Sequence, residues 1–168
     1  MSESLYIVIP AYNEEENIRQ VISDWYPVLE GKDEKSRLVV INDGSKDSTF
    51  DVLKELQNEY PKLVAITKEN GGHGSTIIYG YNYALKEGAD YVFQTDSDGQ
   101  TYASEFEQFW NERNNYDVVI GYRNHREDGF SRIVVTKVLK LVVKLCFHVT
   151  VTDANTPYRL MKASVLNE

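Results

Sequence analysis

Five short apolar runs recur along the chain with helix-spaced stretches between them, and this alternation restricts the fold more than any other feature. The runs are LYIVIP (5–10), RLVVIN (37–42), LVAIT (63–67), DYVFQT (90–95) and DVVIG (117–121), rich in β-branched and aromatic residues. Residues 14–29, 48–60 and 75–86 carry apolar side chains at helical spacing. Ser45 or Asp47 is placed to cap the second of these stretches, and Gly88 to stop the third. Alternating strand and helix predict an α/β three-layer sandwich on a mostly parallel sheet, and continuously apolar strands suit burial on both faces. A length of 168 residues, with no repeat and no Pro/Gly/Ser linker, corresponds to one domain large enough to bury a core unaided.

Charge and cysteine usage narrow the class of partner. Residues 1–120 carry 10 basic and 22 acidic side chains, whereas residues 121–168 carry 8 basic and 4 acidic, so a basic tail follows an acidic body. Such a tail suits phosphates or an anionic membrane surface. The acidic total and a pI near 4.9 argue against a nucleic-acid partner. Cys146 is a single cysteine with no internal disulfide partner, and no apolar run reaches the ~18 residues of a membrane span. The N-terminal MSESLYIVIP has no basic segment before its apolar run, unlike a secretory signal. A cytoplasmic location follows, with peripheral attachment to the inner face of a membrane as its extension.

In open parallel sheets ligands bind beyond the carboxyl ends of the strands, so the residues that follow each strand are the place to look for chemistry. Those residues are PAYNEE (10–15), NDGS (42–45), ENGGHGS (69–75) and DSDGQ (96–100). Asp96 and Asp98, two residues apart beyond a buried strand, can approach one ligand. Hard carboxylate oxygens suit Mg²⁺ or Mn²⁺, and such an ion takes substrate phosphates as further ligands, which makes a nucleoside diphosphate a natural bound species. Gln100 can add an oxygen. Asp43 can accept from a base N–H, with Tyr12 and Pro10 walling the base in, or it can simply form the turn. A dinucleotide fingerprint fails, because Ile77 stands at the third glycine position after Gly72 and Gly74, and no GxxxxGK[ST] is present. The glycine stretch instead lets backbone approach a ligand where the third helix begins. His73 has no ligand-spaced partner. An EF-hand fails as well, because Thr101 stands where that loop needs glycine.

Taken in order, IVIPAYNEEENI, VVINDGSKDST, NGGHGSTIIYGYNYA, TDSDGQ, VVIGYR and DANTPYRLMK resemble the motifs of family 2 glycosyltransferases of the GT-A fold, over residues 5–161. The DxDxQ form, the arginines after GYR and the DANTPYRLMK ending are similar to the polyprenol-phosphate sugar transferase branch. The resemblance implies transfer of a sugar, with inversion, from a UDP- or GDP-sugar donor to a polyprenyl phosphate or a cell-envelope glycan. It implies that Pro10, Ala11, Tyr12 and Glu14 line the base and ribose pocket and that Asp43 holds the base. Gly74 stands at the family's glycine position beside the donor. By the same resemblance Asp96 sits near ribose and metal, Asp98 and Gln100 bind Mg²⁺ or Mn²⁺, and Arg123, Arg126, Arg132 and Arg159 bind donor and acceptor phosphates. Asp153 occupies the acidic position before the late arginine, its role open.

A phosphate acceptor is anionic at pH 7 and needs no general base. For a hydroxyl acceptor Asp153 is the one base in view. Residues 1–121 are then the donor half and 122–168 the acceptor side. Family members usually continue past the late arginine, so the acceptor site is expected to be incomplete at Glu168. Lys137, Lys140, Lys144 and His148 form one stripe on an apolar stretch (137–151), which suits an interfacial helix or an ordinary helix with a solvated lysine face.

Two other readings use the same residues. DSDGQT resembles the DxDGT of haloacid-dehalogenase phosphatases, with Asp96 as nucleophile and Asp98 as acid/base. The acidic residues after Glu112, namely Asp117, Glu127, Asp128, Asp153 and Glu168, supply no strand-end pair for it. A nucleotide-sugar-binding domain without transferase activity would keep the donor cleft alone.

Overall fold

The computed structural model describes residues 3–99, 101–121 and 156–166. Six strands form one sheet in the order β3-β2-β1-β4-β6-β5. They are β1 (Leu5–Ala11), β2 (Arg37–Asn42), β3 (Leu63–Thr67), β4 (Tyr91–Gln94), β5 (Val118–Ile120) and β6 (Arg159–Lys162). β1 pairs in parallel with both β2 and β4, and β2 with β3, while β6 runs antiparallel between β4 and β5. The sheet is therefore mostly parallel, as the alternation predicts, and all five predicted strands form.

β1 is central and buried along its whole length because both of its faces are covered. Leu5, Ile7, Ile9 and Ala11 point into one core with α1 (Ile18–Trp25), α2 (Thr49–Leu56) and α4 (Phe106–Glu112). Tyr6 and Val8 point into the other, beneath α3 (His73–Lys86) and the short α5 (Ala163–Leu166). In α1 the buried residues Ile18, Val21, Ile22 and Trp25 fall one helical turn apart and make a single apolar stripe. Phe93 of β4 gathers the larger core, its ring lying 5.4 Å from Trp25, 5.0 Å from Phe106 and 4.9 Å from Tyr158. On the other face α3 rests on β1 and β2 at Gly80, where a Cβ would fall 2.4 Å from Val8 Cγ1 and 2.9 Å from Ile41 Cδ1.

Several elements differ from the sequence reading, among them α2, which ends at Leu56 rather than residue 60, and α3, which begins at His73 rather than residue 75. The first helix starts at Ile18 rather than residue 14: residues 15–17 form a turn in which the Asn17 N–H donates to the Glu14 carbonyl at 3.0 Å, while the Glu14 and Glu15 N–H groups bond across to Thr49 and Asp47. It continues beyond Trp25 as a 3-10 turn, Tyr26–Leu29, which contains Pro27. β6 falls within a stretch read only as a motif.

Chain order reverses about β1. The chain winds outward through β2 and β3, then returns under α3 to place β4 on the far side of β1. Crevices at such switch points are where open α/β sheets receive ligands.

Candidate active-site cleft

Beyond the carboxyl ends of β1, β2 and β4 lies a cleft of about 330 Å³, lined by residues from four strand-end loops. Pro10, Ala11, Tyr12 and Glu14 come from the first, Asp43 from the second, Asn70, Gly72, His73 and Thr76 from the third, and Asp96, Ser97 and Asp98 from the fourth. Of the described residues named for donor and metal, only Gly74 is absent from this lining. It lies exposed in the first turn of α3 with nothing within 4 Å of where a Cβ would stand. The close approach falls to Gly44, at φ +66° and with a Cβ position 2.9 Å from the Asn70 amide nitrogen.

The first two loops are tied to one another by reciprocal hydrogen bonds. Asn13, in left-handed conformation at φ 56°, donates its N–H to Ser45 Oγ at 2.9 Å and accepts from the Lys46 N–H at 2.8 Å. The Glu14 N–H reaches Thr49 Oγ1 at 2.8 Å, the Glu15 N–H reaches Asp47 Oδ2 at 3.2 Å, and Ser48 N–H returns to Glu15 Oε2 at 2.8 Å. Asp47 Oδ1 also accepts the Thr49 N–H at 3.0 Å, while the N-cap position of α2 is Ser48, which makes no side-chain cap bond, rather than Ser45 or Asp47.

Asp43 sits at the cleft's inner end, 4% exposed. Its Oδ1 accepts from Lys68 Nζ and from the Gly71 N–H at 2.9 Å, and its Oδ2 accepts from the Gly72 N–H at 2.9 Å. Asn70 Nδ2 donates to the Asp43 carbonyl at 2.9 Å, which fixes the loop. Burial alone would raise the carboxyl, but the hydrogen bonds from Lys68 and Gly71 together with the Lys68 charge prevail and lower it to about 2. Lys68 was not foreseen. It follows β3 directly, so the strand-end rule that singled out Asp43 would have found it.

At the opposite wall Thr95 Oγ1 and Thr101 Oγ1 lie 2.9 Å apart and close the 96–99 loop, with Gly99 at φ +72° making the turn. Asp96 is partly buried and Asp98 exposed. His73 Nε2 lies 3.8 Å from Asp96 Oδ1. Four carboxylates thus line the cleft, those of Glu14, Asp43, Asp96 and Asp98, and Lys68 pairs with Asp43. Asp96 and Asp98 carry the same sign of charge as a diphosphate, and a cation lying between them and it would be attracted to both. Two oxygen donors with room for waters and phosphate oxygens fit what Mg²⁺ or Mn²⁺ takes.

Arg159 lies in β6 opposite Gln94, on the sheet face covered by α3, and its Nε donates to the Thr156 carbonyl at 3.0 Å. Buried Gln94 accepts from the Tyr81 hydroxyl, which burial pushes up to about 12 against the opposing Arg159 charge. Gln100, Arg123, Arg126, Arg132, Asp153 and the Lys137, Lys140, Lys144 and His148 stripe lie outside the described residues.

A family model described as glycosyl transferase family 2 matches residues 6–168. A dolichyl-phosphate beta-glucosyltransferase of Trichomonas vaginalis is 32% identical over 135 residues, covering 73% of this chain and 41% of that protein. A UDP-N-acetylglucosamine–dolichyl-phosphate N-acetylglucosaminyltransferase of Methanococcus voltae is 29% identical, covering 96% of this chain and 70% of that protein. An undecaprenyl-phosphate 4-deoxy-4-formamido-L-arabinose transferase of Proteus mirabilis is 29% identical, covering 82% and 42%. The chain thus spans less than half the length of two of these three relatives. Among solved structures, glucosyl-3-phosphoglycerate synthase from Mycobacterium tuberculosis with Mn²⁺, UDP-glucose and phosphoglyceric acid superposes at a TM-score of 0.71 and 16% identity, over 97% of this chain and 57% of that one. S. aureus TarS in complex with UDP-GlcNAc superposes at 0.65 and 18% identity, over 98% and 46%. At these identities the likeness shows the fold, which is GT-A.

Proposed function

The chain belongs to glycosyl transferase family 2, with relatives in its polyprenol-phosphate sugar transferase branch, and on that premise we propose that it is the catalytic domain of a metal-dependent, inverting sugar transferase using a nucleoside-diphosphate sugar and a polyprenyl phosphate. One observation carries this reading. Asp43, an acceptor suited to a base N–H, and Asp96 with Asp98, a hard-oxygen pair, line a single cleft at the sheet's switch point. The base would lie at the Asp43 end between Pro10 and the half-exposed Tyr12 ring, leaving the diphosphate beside the two aspartates.

In this reading Asp96 and Asp98, with Gln100, would hold Mg²⁺ or Mn²⁺, which would neutralise charge on the departing diphosphate. The acceptor phosphate oxygen bonds the anomeric carbon as the bond to the diphosphate oxygen breaks, which inverts the centre. That oxygen is already anionic, so the described residues need supply no base. Arg159, Arg123, Arg126 and Arg132 are assigned to the phosphates, and residues 122–168 to the acceptor side. No described helix is long and apolar enough to cross a membrane, and the basic tail suits peripheral attachment to the cytoplasmic face of one.

The test is nucleoside diphosphate release from a UDP- or GDP-sugar with Mn²⁺ and a short-chain polyprenyl phosphate. Acceptor-dependent release that falls about a hundredfold or more in Asp96→Asn and Asp98→Asn supports the proposal. Donor binding with no release in the presence of acceptor favours a binding domain instead.

A further inference from the structure

The hydrogen bonds already made at Asp43 decide what kind of base the cleft can take. A carboxylate offers about four acceptor positions, two on each oxygen. Lys68 Nζ and the Gly71 N–H occupy both on Oδ1, and the Gly72 N–H occupies one on Oδ2. The Thr76 hydroxyl has one proton, given to the Gly72 carbonyl at 3.1 Å. One acceptor position remains. Nor does Lys68 have a proton to spare, since its other donors go to the Glu69 carbonyl at 2.8 Å and Thr76 Oγ1 at 3.3 Å.

We propose that Lys68, by occupying Oδ1 of Asp43, makes the cleft selective for a base that presents a single imide N–H, a uracil-type ring, over guanine. Uracil offers one N–H between two carbonyls, which matches one remaining acceptor. Guanine presents a ring N–H and an exocyclic amino group side by side, which calls for both carboxylate oxygens. In this pocket the second of these donors meets an oxygen already filled. Cytosine fits no better, because its ring nitrogen at the same position is an acceptor and faces a carboxylate. A site whose polar groups are committed rejects the wrong pattern more strongly than shape alone, because the mismatched donor leaves water without a partner.

This inference rests on the donor-cleft reading above, and the test separates the two. The whole chain is titrated calorimetrically with UDP, GDP and CDP in the presence of Mn²⁺; the diphosphate is common to all three, so differences report the base. UDP is expected to bind tightest, with GDP and CDP weaker by roughly tenfold or more. In Lys68→Met the freed Oδ1 narrows the UDP-to-GDP ratio, while Lys68→Arg, which keeps a donor there, preserves it. GDP binding as tightly as UDP to the unmodified chain overturns the selectivity and leaves the transferase reading standing. Absence of binding by all three nucleotides overturns both.

Discussion

Asp43 keeps its charge in a nearly closed site because the donors around it outweigh its burial, and that balance makes the fold sensitive to acid. Its carboxyl, ordinarily near 3.8, is lowered to about 2. The stabilisation is therefore fully present above pH ~4 and is lost as pH falls through about 2, an amount on the order of 2 kcal/mol. Asp47 acts in the same direction: burial opposes its charge, but bonds from Thr49 and the Glu15 N–H prevail. Denaturant unfolding measured from pH 6 to pH 2 should show this loss, and Asp43→Asn should be less stable at pH 6 yet flatter toward pH 2. Two glycines give an opposed pair of expectations. Gly80→Ala places a methyl within 3 Å of Val8 and Ile41 and should cost about 1–3 kcal/mol despite its better helix propensity. Gly74→Ala meets open space in a helical turn and should be neutral or stabilising by up to about 1 kcal/mol. Thermal unfolding of both variants checks the pair.

At the level of elements, the loops after β1 and β2 act as one unit, since each supplies the side-chain acceptors for the other's backbone N–H groups. Thr49 is fully buried at the centre of this latch. Thr49→Val keeps the shape but leaves the Glu14 N–H without its acceptor, at a cost of about 1–3 kcal/mol. Hydrogen exchange should then quicken at the Glu14 amide before the β1 amides, and uniform quickening would mean that the latch is not a local unit. The latch also shows where the sequence stops being legible. Apolar periodicity located β1 to β5 and the body of α1, α2 and α3, because those patterns are set by burial. It placed the first helix four residues early, because residues 15–17 form a turn in a segment tied by hydrogen bonds to a loop thirty-odd residues further along, which local spacing does not record. β6 was missed for a related reason: Arg159–Lys162 reads RLMK, residues that favour helix, and only pairing with β4 and β5 makes them a strand. α4 is different, because Phe106 and Trp110 stand at i and i+4 and both are buried, a signal present in the sequence and not used.

For the molecule as a whole, the sheet order does what no segment does alone: it brings residues separated by more than eighty positions, Pro10 and Asp96, into one cleft. Composition foretold an acidic body, and strand-end reasoning foretold Asp43, Asp96 and Asp98. The Lys68 bond, which with the Gly71 N–H fills Oδ1 of Asp43, came only from the three-dimensional arrangement. The resulting cleft is acidic where an anionic ligand is to lie, so nucleotide and divalent ion should bind with positive coupling, each reducing the repulsion or exposure the other meets. A ligand at about 100 times its Kd adds roughly 2.7 kcal/mol to stability, which for a domain of this size raises Tm by about 5–10 °C. Thermal unfolding with UDP alone, Mn²⁺ alone and both together should therefore give a shift with the pair that exceeds the sum of the separate shifts. Asp98 is exposed, so Asp98→Ala should leave the unliganded Tm within a degree or two of the parent, a surface change on the order of 0.5 kcal/mol. The same substitution should abolish the excess shift while a smaller nucleotide-only shift from the Asp43 pocket survives. An excess shift that persists in Asp98→Ala would place the ion elsewhere and remove the charge argument on which the metal assignment stands.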